Sequence, residues 1–135
     1  TRLSISFSFR TTSPNGLLLY AGSKGGGDFL ALELRDGRLV LRYDLGSGPA
    51  RLTSDPTPLN DGQWHRVSVE RNGRRVTLSV DGGNRVSGES PGGSTILDLD
   101  GPLYLGGLPE DLKLPGLPVT PGFRGCIRNL KVNGK

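Results

Sequence analysis

A chain of 135 residues is long enough to enclose one apolar core and short for two, so a single domain over 1–135 is expected. Its 17 Lys+Arg against 13 Asp+Glu leave a mild net charge of +4, spread along the chain rather than gathered into a basic stripe with interleaved aromatics, which argues against a nucleic-acid partner. The longest apolar run, residues 17–21, falls far short of the ~20 residues a membrane-spanning helix needs, so no membrane insertion is expected and any secretion signal is expected to lie outside the chain.

The first element is a half-buried strand in which Leu3, Ile5, Phe7 and Phe9 alternate with Ser4, Ser6 and Ser8. Pro14-Asn15-Gly16 turns the chain into Leu17-Leu18-Leu19-Tyr20, a buried strand. A glycine-rich loop, Gly25-Gly26-Gly27, leads into Asp28-Phe29-Leu30-Ala31-Leu32-Glu33-Leu34, where Leu30, Leu32 and Leu34 share a face. Arg35-Asp36-Gly37-Arg38 reads as a hairpin turn, after which Leu39, Leu41 and Tyr43 resume the alternation.

The next segment carries the only Trp and the only His. Asp61-Gly62 opens a run with Val67 and Val69 on one face, Asn72-Gly73 reverses it, and Val76, Leu78 and Val80 alternate on the return. Thr95-Ile96-Leu97-Asp98 and Leu103-Tyr104-Leu105 read as short strands, 109–121 as a proline-rich surface loop, and 123–132 as a closing strand. No window shows the 3.6-residue period with caps that a helix needs. The fold class is therefore all-β, and at this size an antiparallel two-sheet sandwich is favoured over a barrel.

Five phrases, in this order, carry a resemblance: Gly16-Leu17-Leu18-Leu19-Tyr20, Asp28-Phe29-Leu30-Ala31-Leu32-Glu33-Leu34, Leu59-Asn60-Asp61-Gly62-Gln63-Trp64-His65, Leu103-Tyr104-Leu105-Gly106-Gly107 and Gly122-Phe123-Arg124-Gly125-Cys126-Ile127. Together they resemble the laminin G-like, or LNS, domain family over nearly the whole chain. The wording lies nearer the family's average than any one member, as a designed consensus would, and the absence of Met agrees with that. The resemblance implies a lectin-like jelly roll, extracellular, found in multidomain matrix and cell-adhesion proteins.

It also implies a Ca²⁺ ion on the rim of the sandwich, held by two side chains and two backbone carbonyls. Matched by motif, the side chains are Asp28 and Asp98 and the carbonyls those of Leu45 and Ile96. The donor chemistry agrees, since Ca²⁺ is a hard cation that takes six to eight oxygens, and with few protein ligands its affinity is expected on the order of 10⁻⁴ to 10⁻³ M. Taken without the resemblance, both aspartates read rather as solvated turn carboxylates, the usual fate of Asp at strand ends. Family members use this rim for acidic glycans or cell-surface protein receptors. Lys24, Arg51 and Arg85 are the cations expected in or near loops that reach it, with solubility charge as the plainer reading of each. Arg71, Arg74 and Arg75 form the densest basic cluster, around the Asn72-Gly73 turn.

Trp64 and His65 are expected to be structural, and no catalytic residue is assigned. A jelly-roll glycoside hydrolase would need two carboxylates roughly 5 to 9.5 Å apart facing a groove, and the candidate pairs, Glu33 with Asp36 and Glu110 with Asp111, are poorly placed for it. A scaffold without a ligand is the remaining alternative. The one cysteine, Cys126, resembles the first half of the family's C-terminal disulfide and has no partner in the chain, and a monomer is expected.

Overall fold

The computed structural model describes residues 2–22, 29–44, 49–54, 58–72, 75–89, 103–105 and 123–132. Every regular element among them is a strand: β1 (Arg2–Arg10), β2 (Gly16–Gly22), β3 (Phe29–Arg35), β4 (Arg38–Asp44), β5 (Pro49–Thr53), β6 (His65–Asn72), β7 (Arg75–Val80), β8 (Asn84–Glu89), β9 (Leu103–Leu105) and β10 (Cys126–Val132). They form two antiparallel five-stranded sheets, one in the order β10-β1-β6-β7-β8 and the other in the order β5-β4-β3-β2-β9. The expected strand at Thr95-Ile96-Leu97-Asp98 and the loop at 109–121 lie outside the described residues.

The two inner faces make the core. Ile5, Phe7, Phe9, Val67, Val69, Val76, Leu78 and Val80 come from the first sheet, and Leu30, Leu32, Leu34, Leu39, Leu41 and Tyr43 are among those from the second. Each such side chain taken from water is worth roughly 1.5–3 kcal/mol, which makes the period-2 alternation the main determinant of register. β2 departs from strict alternation by a bulge: Leu17 pairs with Glu33 and Leu19 with Leu32, so Leu18 is the extra residue and it joins Leu19 in the core. A second bulge lies in β10, where Ser6 pairs with Lys131 but Ser8 with Arg128, and Asn129 takes the left-handed conformation at φ 59°.

The second sheet is buried on its outer face as well. Leu17, Tyr20, Phe29 and Ala31 form a separate apolar cluster there, with the Tyr20 and Phe29 rings stacked at 6.2 Å. Glu33 shares this face and is fully buried, its Oε1 accepting from Arg35 Nε at 3.0 Å and from Arg42 Nε at 2.8 Å.

The β3–β4 turn is Asp36-Gly37, with φ of 53° and 80°, the pair of left-handed residues that a two-residue hairpin of right-twisted strands requires. Its tip is tied down: Gly37 N–H donates to Pro14 O, Leu59 N–H to Gly37 O, and Asp36 N–H to Asn15 Oδ1. The residue that follows β1 is tied to the segment that precedes β10, where Thr11 Oγ1 donates to the Arg124 carbonyl at 2.5 Å.

Candidate functional site

Four strand ends meet at one end of the β5-β4-β3-β2-β9 sheet. Gly22, the last residue of β2, pairs with Phe29, the first of β3; Phe29 pairs with Asp44, the last of β4; and Ala21 pairs with Leu103, the first of β9. The chain thus enters β3 directly after Asp28 and leaves β4 directly before Leu45, at two points that face each other. It enters β9 beside them after passing Ile96 and Asp98 in sequence. Asp28, Leu45, Ile96, Asp98 and Lys24 themselves lie outside the described residues. Among the described residues, no group of three or more His, Cys, Asp or Glu is disposed to hold a metal ion.

Arg51 and Arg85 are in strands, not loops. Arg51 is exposed on β5 opposite Arg42, and because Ala50 and Leu52 on either side of it pack on the core, it stands on the outer face of the second sheet. Arg85 is exposed on β8 opposite Ser79, and since Val86 packs on the core, Arg85 stands on the outer face of the first sheet. The two arginines therefore occupy opposite faces of the sandwich. Arg51 lies two residues from the rim end of β5, whereas Arg85 adjoins the 81–83 turn. The basic cluster at 71–75 also divides: Arg71 follows Val67 and Val69 on the core-facing register and is only 1% exposed, Arg75 is exposed, and Arg74 is outside the described residues.

His65 marks the other end of the sandwich. Its Nδ1 lies 2.7 Å from Asp81 Oδ2 and its Nε2 lies 2.8 Å from Asp61 Oδ1. Asp81 Oδ1 also accepts the Arg66 N–H at 2.9 Å, and Asp61 Oδ1 accepts the Gln63 N–H at 3.0 Å, so the ring links the 61–63 turn, the start of β6 and the β7–β8 turn. Partial burial disfavours the charged ring, but the hydrogen bonds it donates to Asp81 and Asp61 outweigh it and His65 titrates above its ordinary range. The hydrogen bond from His65, followed by that from Gln63 N–H, holds the Asp61 carboxyl below its usual range. Both ring nitrogens are engaged by these carboxylates, and the ring lies 5.8 Å from that of Phe9. Trp64 is half-buried, with the Arg128 guanidinium 3.8 Å over its ring.

The family model of the laminin G domain matches residues 9–135. The chain is a member of the laminin G domain family. Among curated relatives, the mouse basement membrane-specific heparan sulfate proteoglycan core protein is 42% identical over 93% of this chain and 4% of its own length, and human neurexin-2 is 42% identical over 98% and 9%. The chain thus spans less than a tenth of either relative. Among solved structures, the LG4-5 domains of the mouse laminin α1 chain superpose with a TM-score of 0.92 at 35% identity, covering 100% of this chain and 36% of that one. The laminin G likeness accounts for the five sequence phrases and for the two-sheet jelly roll. Two of those phrases now have a physical role: Asp61 and His65 of the third build the imidazole clip, and Arg124 of the fifth supplies the carbonyl that Thr11 holds.

Proposed function

We propose that this laminin G domain is a non-catalytic recognition module of an extracellular or cell-surface protein, with a calcium-dependent rim that takes acidic glycans or a protein receptor. The supporting observation is the convergence of Gly22, Phe29, Asp44 and Leu103 at one end of a sheet, because Phe29 follows Asp28 and Asp44 precedes Leu45 directly in sequence and Leu103 is the first described residue after Ile96 and Asp98. Asp28 and Asp98 would give carboxylates and Leu45 and Ile96 carbonyls, an all-oxygen donor set whose two negative charges match the ion. The bound ion would supply a fixed positive charge toward an acidic ligand. Lys24 and Arg51 are assigned to the surroundings of that rim. The domain acts as a monomer.

A hydrolase reading has little support. Glu33, one of the two carboxylates of the Glu33–Asp36 pair, is fully buried and ion-paired with Arg35 and Arg42, and so is out of reach of a glycosidic bond. Glu110 and Asp111 lie outside the described residues.

The test is a panel of acidic oligosaccharides and candidate receptor ectodomains probed with the domain in millimolar Ca²⁺ and in chelator. Binding that requires Ca²⁺ and is lost in Asp28→Ala supports the rim. Binding to nothing in Ca²⁺ would leave a scaffold without a ligand.

A further inference from the structure

The outer face of the β10-β1-β6-β7-β8 sheet carries a row that crosses all five strands in register. Lys131 pairs with Ser6, Ser6 with Ser68, Ser68 with Ser79, and Ser79 with Arg85. Cations therefore stand on the two edge strands and three serine hydroxyls lie between them. Four strand intervals put the ends about 19 Å apart. The adjoining row is Arg128, Ser8 and Arg66, also in register, with Arg128 held over the Trp64 ring.

Short side chains between long ones leave the face hollow. One depression of about 330 Å³ is bounded by Ser6, Ser8, Arg66, Asn129 and Lys131. A second of about 260 Å³ is bounded by Arg66, Ser68, Thr77, Ser79, Arg85 and the one acid of either lining, Glu70. Arg66 borders both, so the two depressions lie side by side along the rows, together a cationic trough with the Arg66 side chain between them. Arg66, Arg85 and Lys131 against Glu70 leave it cationic, and the β10 bulge at Asn129 breaks the ladder at its edge. Nothing in the core explains this composition, since the residues all face away from it.

We propose that this trough is a second binding site, for a linear acidic saccharide laid across the strands. Arginine forks and the lysine ammonium would take sulfate or carboxylate groups, and the serine hydroxyls would exchange hydrogen bonds with ring hydroxyls between them. The site rests only on the acidic-glycan half of the proposed function. It lies on the other sheet from the rim strands and uses no metal.

The decisive experiment titrates a heparin-derived octasaccharide into the domain in chelator, using wild type, Arg85→Ser/Lys131→Ser, and Arg124→Ser as a charge control away from the rows. A hyaluronan octasaccharide distinguishes carboxylate from sulfate recognition. Wild type binds in chelator, the double variant binds about 100-fold more weakly, about tenfold for each charge-assisted contact removed, and the control binds as wild type. Equal loss of both oligosaccharides in the double variant assigns the site to carboxylates; binding of heparin alone assigns it to sulfate. Amide shifts of the wild-type domain give a readout independent of the variants, moving at Ser6, Ser68 and Ser79. Undiminished binding by the double variant, absence of those shifts, or binding only in Ca²⁺ overturns the trough. Binding only in Ca²⁺ leaves the rim standing, whereas loss of Ca²⁺ dependence with trough binding intact removes the rim and not the trough.

Discussion

His65 and Asp81 close the β7–β8 turn onto the start of β6, with Nδ1 and Oδ2 2.7 Å apart. The second carboxylate on Nε2, from Asp61, means that a neutral ring would turn a lone pair toward one carboxylate or the other. The clip is therefore a contact of the imidazolium form.

Its pH dependence has a definite sign. The His65 pKa is raised on folding, so its contribution is complete below about pH 6.5 and is lost as pH rises through the folded value. The Asp61 pKa is lowered, so its contribution is present above about pH 4 and is lost as pH falls through the lowered value. Urea unfolding should show the stability of the wild type falling as pH rises above about 6.5. His65→Ala should cost about 1 kcal/mol at pH 6 and flatten that fall. An equal fall in the variant would assign the pH dependence to other groups.

Two turn glycines separate backbone strain from crowding. Gly37 and Gly82 both have positive φ, 80° and 74°, but a Cβ on Gly37 would lie 2.6 Å from Asn60 Oδ1 whereas one on Gly82 meets nothing within 4 Å. Gly82→Ala should cost about 1 kcal/mol, the left-handed penalty alone. Gly37→Ala should cost about 1–3 kcal/mol more, because Asn60 and the 58–60 segment must move. Equal costs by chemical denaturation would show that Asn60 yields freely.

Glu33→Ala removes the acceptor shared by Arg35 and Arg42. Arg42 is the more buried of the two, with 20% side-chain exposure against 37% for Arg35, so part of the lost interaction is recovered by water. The expected loss is about 1–3 kcal/mol by urea unfolding, below the cost of stranding a fully buried charge. Glu33→Gln, which keeps an acceptor oxygen, should lose less. A neutral Glu33→Ala would mean that the buried carboxylate costs as much to desolvate as its pairs return.

The strands that build the core were legible wherever alternation is strong, as in Ile5, Phe7 and Phe9, or Leu30, Leu32 and Leu34. The edge strands β5 and β8 were not, because an edge strand tolerates Pro49 at its start and Gly88 in its body and shows only Ala50 and Leu52, or Val86, to the core. Residue type misled at Arg71, where the register puts an arginine on the inner face despite its surface character. β3 is also buried on the face that carries Phe29 and Ala31, which the reading of Leu30, Leu32 and Leu34 as one shared face did not draw.

For the binding surfaces, the sequence alone named the rim residues only through the family likeness, since Asp28 and Asp98 are 70 positions apart and nothing local joins them. The trough was hidden for a different reason. Ser6, Ser68, Ser79, Arg85 and Lys131 are ordinary outward residues in five separate strands, and only the pairing register makes them one row.

A rim that binds calcium must show itself in thermal unfolding. A ligand that binds the native state alone must stabilise it, by about 1.4 kcal/mol at ten times its Kd. Millimolar Ca²⁺, compared with chelator, should raise the Tm of the wild type, Mg²⁺ should not, and Asp98→Ala should remove the rise. An unchanged Tm in Ca²⁺ up to well above 10⁻³ M, or a rise that survives in both Asp28→Ala and Asp98→Ala, would contradict it.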